Sequence, residues 1–247
     1  MKADPHAQWR LLDVQELDSR IDRLTHRRRS LPELAEITDL RKQRDEAAAD
    51  VVVAQTEVDD LAREQRKADA DVEQVKSRRA RDQRRLDQGQ VGSPKELQNL
   101  QHEIETLERR ISDLEDAELD VMERLETAQA QLDQLQASIG EYDEGLRELE
   151  KRRDAATSEI DAEVREAESE RGQIVAGLPD DLLKLYERLR GSHGGVGAAA
   201  LVQRRCQGCR LELNAADLRE IAAAPEDEVL RCEECQRILV RTAESGI

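Results

Sequence analysis

The chain has 247 residues, with 56 Asp or Glu against 39 Lys or Arg and a formal net charge of −17. One Trp, two Tyr and no Phe leave too little aromatic bulk for a large globular core, since aromatic side chains carry much of the buried area in such cores. The abundance of Ala, Glu, Leu, Arg and Asp is that of long helices and coiled coils, and the acidic excess disfavours duplex nucleic acid as a partner of the chain as a whole.

Residues 1–10 contain no apolar stretch of the kind that opens a secretory signal, and no run of 18 apolar residues follows. A soluble, cytoplasmic protein without membrane contact is the expectation. From Leu11 the apolar residues Val14, Leu17, Ile21 and Leu24 fall at helical spacing. Arg27, Arg28 and Arg29 read as a solvated face. Ser30-Leu31-Pro32-Glu33 then has the pattern of a capping box with proline in a first turn, so one helix is predicted to end near Arg29 and the next to begin near Leu31.

The second helix carries a four-three seam from Leu40 to Leu86. Ten of its fourteen positions are apolar, but they are mostly Ala and Val. Gly89 and Gly92 break it, and Ser93-Pro94-Lys95-Glu96 forms a second capping box. A third seam runs from Leu97 to Ile160 with seventeen of nineteen positions apolar and mostly large, and helix is predicted to about Ala176. The two helical stretches, 6–88 and 94–176, hold 83 residues each, about 125 Å of helix apiece. Equal arms about a Gly-rich turn at 89–93 predict an antiparallel hairpin within one chain; the competing arrangement is a parallel dimer of nearly continuous helices. Folding about Val91 pairs Leu86 with Leu97, Val75 with Leu107 and Val58 with Leu125, so small residues face large ones. The same register puts the polar seam residues Gln65 and Glu118 together and Arg153 beside the break at 30–32.

The hairpin is assigned to residues 1–177 and a small α+β module to 178–247. Leu178-Pro179-Asp180 opens a short helix whose Leu182, Leu183, Leu185, Tyr186 and Leu189 are expected to pack on the ribbon or the hairpin base. Gly191 is expected to end that helix, and the four glycines of 191–197 to form a flexible joint. Strands are predicted at 198–203 and 238–240, Leu230-Arg231 is read as leading into the second knuckle, and a short helix is predicted from a cap at Asn214 through Ile221.

All four cysteines lie in this module, as Cys206-Gln207-Gly208-Cys209 and Cys232-Glu233-Glu234-Cys235, separated by 22 residues. Zinc favours four soft ligands at tetrahedral angles, and two C-x-x-C turns supply them from short loops. Cys206, Cys209, Cys232 and Cys235 are therefore assigned as ligands of one structural Zn2+, with Gly208 supplying a positive φ in the tight knuckle. Two disulfides or free thiols are the competing reading. A shell of four thiolates leaves no position for water or substrate, unlike a catalytic zinc. Its formal charge of −2 lies among Arg204, Arg205, Arg210, Arg231 and Arg237, which either offset that charge or bind phosphate. A second basic cluster, Lys76, Arg78, Arg79, Arg81, Arg84 and Arg85, lies near the hairpin turn. It reads either as charge pairing with the acidic second arm or as a contact to RNA; no aromatic platform accompanies it. The histidines are scattered, and no phosphate loop, nucleophile elbow or H-E-x-x-H motif occurs, so the chain is not expected to be an enzyme and no small-molecule substrate is assigned.

These residues, and in particular Ser93-Pro94-Lys95-Glu96-Leu97 with Leu100 and Glu103, the helix from Leu178 to Arg190, and the two cysteine knuckles with Gln236-Arg237-Ile238-Leu239, resemble the bacterial C4-type zinc-ribbon proteins with an N-terminal coiled coil. The resemblance spans essentially the whole length, and the arginine-rich composition is similar to that of an actinobacterial member. It implies a helical hairpin carrying a zinc ribbon, zinc on the four cysteines, and an adaptor without catalytic activity. Relatives of this kind in flagellated bacteria engage an alternative sigma factor, export components and, in one lineage, messenger RNA; only the adaptor architecture is carried to this chain. The expected partner is another protein, with RNA or DNA as the alternative.

Overall fold

A computed structural model describes all of residues 1–247. Four helices precede a small sheet and a fifth is inserted within it: α1 (Pro5–Arg29), α2 (Pro32–Asp87), α3 (Pro94–Val175), α4 (Asp180–Ser192), β1 (Ala198–Val202), β2 (Arg205–Cys206), α5 (Ala215–Ala223), β3 (Leu230–Arg231) and β4 (Ile238–Arg241). Two compact units result. One comprises Met1–Leu34 with Glu150–Ile247, the other Ala35–Leu149. The division therefore runs across α2 and α3 rather than between residues 177 and 178, because α1 and the end of α3 pack with the ribbon.

The break after α1 is where the sequence places it, but its chemistry differs from a capping box. Ser30 closes the preceding helix: its hydroxyl donates to the His26 carbonyl at 2.9 Å and its N–H reaches the same oxygen. Pro32 has no N–H and disfavours helical geometry at Leu31, so α2 starts afresh. His26 and Arg27–Arg29 occupy the last turn of α1, where positive charge faces the free carbonyls; Arg28 also pairs with Asp161 at 3.0 Å.

In the second unit α2 and α3 run antiparallel, as rising numbers on one helix meet falling numbers on the other: Arg44–Asp143, Glu64–Arg124, Lys76–Glu115 and Arg85–Glu96. The seam of α2 is covered by α3 of the same chain. Val58 and Leu125 share a cluster with Leu61, Ala128 and Leu132. Exposed ion pairs contribute about 0–1 kcal/mol each, whereas a buried Leu or Val side chain contributes about 1.5–3 kcal/mol, so the apolar seam holds the helices and the charges bias their alignment. One detail is corrected: Glu118 lies beside Asp69, which helps hold its carboxyl above the usual range, one helical turn beyond the expected Gln65. At the turn, Gly89 has φ +62, its N–H bonds the Leu86 carbonyl and the Gln90 N–H bonds that of Arg85, a Schellman closure of α2. Ser93 caps α3 through the Glu96 N–H, and the Glu96 carboxylate returns to the Gly92 N–H at 3.0 Å.

In the first unit the sheet has the order β2-β1-β4-β3, with β1 and β4 parallel and Ala198 opposite Ile238. Successive strand residues face opposite sides. Ala198, Ile238 and Val240 join Leu11 and Val14 of α1 and Leu182, Tyr186 and Leu189 of α4 in one cluster. Ala199, Leu201 and Leu239 face the other way, onto Cys206, Leu213, Ile221 and Cys232. Both faces are thus covered, which is why β4 reads as an unbroken apolar run. Residues 1–3 add to the sheet's far edge through Ala3 N–H to the Asp227 carbonyl and Val229 N–H to that of Met1.

The expected flexible joint is instead a tied segment. The α4 helix runs through Gly191 and is closed at Gly194, φ +67, with the Gly195 N–H on the Arg190 carbonyl. The buried Gln15 side chain accepts from the Gly197 N–H at 2.7 Å and donates to the Gly195 carbonyl at 3.0 Å. A Cβ on Gly197 would lie 2.6 Å from the Tyr186 carbonyl oxygen, so the glycine serves close packing rather than freedom.

Asp18, 2% exposed, locks α1 to α3 and α4. It accepts from the Tyr186 hydroxyl at 2.6 Å and from Arg171 at 2.7 Å, and lies 3.4 Å from Arg190. Arg171 and Arg190 have second partners in Glu187 and Asp22, but loss of Asp18 strands the buried Tyr186 hydroxyl and strips both arginines of their buried partner, at a cost of about 1–3 kcal/mol. Asp18→Ala is therefore expected to lower the thermal midpoint of this unit strongly, while Asp45→Ala on the exposed face of α2 leaves it unchanged; equal midpoints by near-UV circular dichroism would refute the role of Asp18.

Candidate metal centre

The two knuckles are built identically. In each, the first cysteine's N–H bonds a carbonyl five residues on (Leu211, Arg237), and the residue after the second cysteine returns its N–H to the first cysteine's carbonyl at 2.7 Å (Arg210 to Cys206, Gln236 to Cys232). That return requires a left-handed residue, and the structure puts it on Arg210 (φ 64) and Gln236 (φ 59). This corrects the expectation for Gly208, whose φ is not positive. Gly208 is needed for space: a Cβ there would stand 2.9 Å from Arg237 Cδ and 3.0 Å from Ala199 Cβ.

The four Sγ atoms lie within 4.8 Å of one another, with Cys206–Cys235 and Cys209–Cys232 at 3.9 Å, and no disulfide joins them. A zinc ion with bonds of about 2.3 Å to four sulfurs demands edges of about 3.8 Å, so the cage has the right size. Its electrostatics also call for a cation. Burial pushes the Cys206 and Cys232 thiols up, against the backbone N–H groups of Gly208 and Cys209 on one sulfur and Glu234 and Cys235 on the other. At Cys235 burial acts the same way but is outweighed by the Arg237 N–H and guanidinium, and the thiol falls below its usual value. Four thiolates this close are stable only around a metal, and with all four vertices taken by protein the centre is structural.

The arginines around the cage are mostly committed. Arg237 donates from Nε to the Val196 carbonyl and from Nη2 to that of His193, both at 3.0 Å, so it braces the segment before β1 as well as Cys235. Arg204 donates to the Gly246 carbonyl, Arg231 to that of Gln236, and Arg205 lies 3.5 Å from Glu212. Arg210 is exposed. In the other cluster, on α2, Lys76, Arg78, Arg79 and Arg85 pair with Glu115, Glu103, Glu108 and Glu96 of α3. Arg84 donates to the Ala80 carbonyl, and Arg81 is exposed. The structure thus brings the four cysteines together and leaves the two groups of basic residues in separate units. The bracing role of Arg237 was not foreseen; its place two residues past Cys235, where the first knuckle has Leu211, was the only signal.

Structural zinc contributes ~10–16 kcal/mol in finger peptides, more than two-residue strands and a nine-residue helix supply. Cys232→Ser is expected to take metal content from one zinc per chain to near zero and to expose the ribbon amides to hydrogen exchange, with α1 loosened through the shared sheet and α2 unaffected. A mutant that keeps stoichiometric zinc and protected ribbon amides would refute the assignment.

Residues 14–194 match the family of CT398-like coiled coil hairpin domains, and residues 205–239 the C4-type zinc ribbon domain. The chain is 35% identical over 241 residues to the Mycobacterium tuberculosis protein Rv2229c, covering 98% of each. It is 30% identical over 221 residues to ML1638 of Mycobacterium leprae, covering 90% of this chain and 94% of that one. Among solved structures it is similar to one from Mycobacterium smegmatis, with TM-score 0.84 and 34% identity over 98% of this chain and 100% of that one. CT398 from Chlamydia trachomatis has the same fold, with TM-score 0.68 at 20% identity over 96% of this chain and 98% of that one. With its four thiolates caged at zinc dimensions beyond a helical hairpin, the chain belongs to the CT398-like coiled coil hairpin family and carries a C4-type zinc ribbon.

Proposed function

We propose that the chain is a non-enzymatic adaptor that uses its helices and zinc ribbon to hold another protein. The observation that carries this reading is the closed metal shell: four protein thiolates fill the cage, so the ion orders a surface and presents no site for water or substrate. The surfaces around it favour a protein over a nucleic acid. A groove beside the ribbon is lined by Asp217, Glu220, Glu228 and Glu233 against Arg231 alone, which repels phosphate. Most arginines of the ribbon bond to the chain's own carbonyls, and four of the six basic residues of 76–85 pair with α3 carboxylates. A cytoplasmic setting is consistent with reduced thiols, and no helix is long and apolar enough to cross a membrane.

Two measurements test the reading. Fluorescence anisotropy with labelled single-stranded RNA and duplex DNA is expected to show no binding even at low ionic strength, where phosphate contacts are strongest. Affinity capture from the native organism with zinc-loaded protein is expected to retain a partner that Cys232→Ser protein loses. Salt-sensitive RNA binding that disappears when Lys76, Arg78, Arg79, Arg81, Arg84 and Arg85 are replaced by Gln would favour the nucleic-acid reading instead.

A further inference from the structure

The second unit has a groove of about 720 Å³ along one side of the α2–α3 pair. Its floor is apolar, with Val58 and Leu125 at the seam, and its wall carries Leu119 and Met122, which are 56% and 42% exposed. Large apolar side chains left this open on a helix pair mark an unfilled packing position. The rim is of one sign: Glu123, Glu126 and Asp133 line it, and no Lys or Arg does. Just beyond, Glu118 lies beside Asp69 across the pair, and that neighbour, with burial, holds its carboxyl above the usual range although Lys76 acts the other way.

We infer that this groove takes a basic amphipathic helix from a partner protein, with apolar residues at i, i+3 and i+4 on the floor and Lys or Arg against the rim. Shape and charge both select that occupant. The lining runs on α3 from Leu119 to Asp133, about 21 Å at 1.5 Å per residue, the length of roughly four helical turns. Met122 adapts to varied apolar side chains, as methionines do in helix-binding grooves. A second copy of this chain fits poorly, because a symmetric pairing would set Glu123, Glu126 and Asp133 against their own images. Nucleic acid is repelled by the same carboxylates. The inference rests on the protein-binding reading and gives that partner a chemistry.

The test uses the full zinc-loaded chain and a labelled synthetic 18-residue peptide of Leu and Lys at helical spacing. Two controls accompany it: a scrambled peptide of the same composition and the Leu/Glu counterpart. The helical Leu/Lys peptide is expected to bind at least tenfold more tightly than either control. The double variant Leu119→Gln/Met122→Gln, which alters only solvent-facing side chains, is expected to weaken it at least tenfold with helicity unchanged, whereas Val52→Gln/Val53→Gln is not. Equal binding of the scrambled peptide, equal binding by the Leu119/Met122 variant, or no binding would overturn the inference. So would a dimer in sedimentation that this variant abolishes, since the groove would then belong to a second copy. Capture failing while the peptide binds counts against the adaptor reading; the peptide failing while capture succeeds counts against the groove alone.

Discussion

The constraint on which the first unit depends is the parallel pairing of β1 with β4, buried from both sides. Neither strand exceeds five residues, and an isolated pair of that length has no stability of its own. It persists because α1 and α4 close one face and the knuckles with α5 close the other. The metal cage and the N-terminal helix are therefore coupled although they lie in clusters on opposite faces of the sheet: each supplies the cover that the strands need on its side. Asp18 and Gln15 complete the arrangement, holding α1 in place with charge and hydrogen bonds where the alternating apolar residues alone would allow it to slide.

The second unit works by different physics. Its stability is distributed along a seam, each layer contributing a little, and its charges set alignment more than strength. Small residues on α2 let α3 approach closely, and Gly145 is an instance on the other arm, where a Cβ would stand 3.0 Å from Leu40. This is a surface generator rather than a core: it presents long exposed flanks, and their character follows from which side chains the seam leaves out.

Much of this was legible in the sequence because it depends on local rules. The C-x-x-C spacing, proline at the first helical position, Asn214 as a cap and the Gly89 reversal each follow from the stereochemistry of a few residues. What escaped depends on distant packing. The apolar stripe of α1 has the same period as a coiled-coil seam, so it reads as more hairpin; the signal against that was polar, in Gln8, Gln15 and Asp18 on the buried face. The Ile238-Leu239-Val240 run already announces a strand covered on both faces. The left-handed residues after each knuckle fall on Arg210 and Gln236 because the hydrogen bond to the first cysteine's carbonyl fixes that position, whatever residue occupies it.

The attachment of residues 1–3 and α1 to strands some 200 positions later has a temporal meaning. Synthesis proceeds at about 5–20 residues per second, so α1 emerges on the order of 10–40 s before β4 exists to receive it. For most of that interval Leu11 and Val14 have neither their α4 nor their sheet partners, and closing so long a loop is slow as well. The coiled-coil arms, made of local contacts, are complete earlier, so the ribbon forms after them and its thiols remain open to metal until β4 has been made.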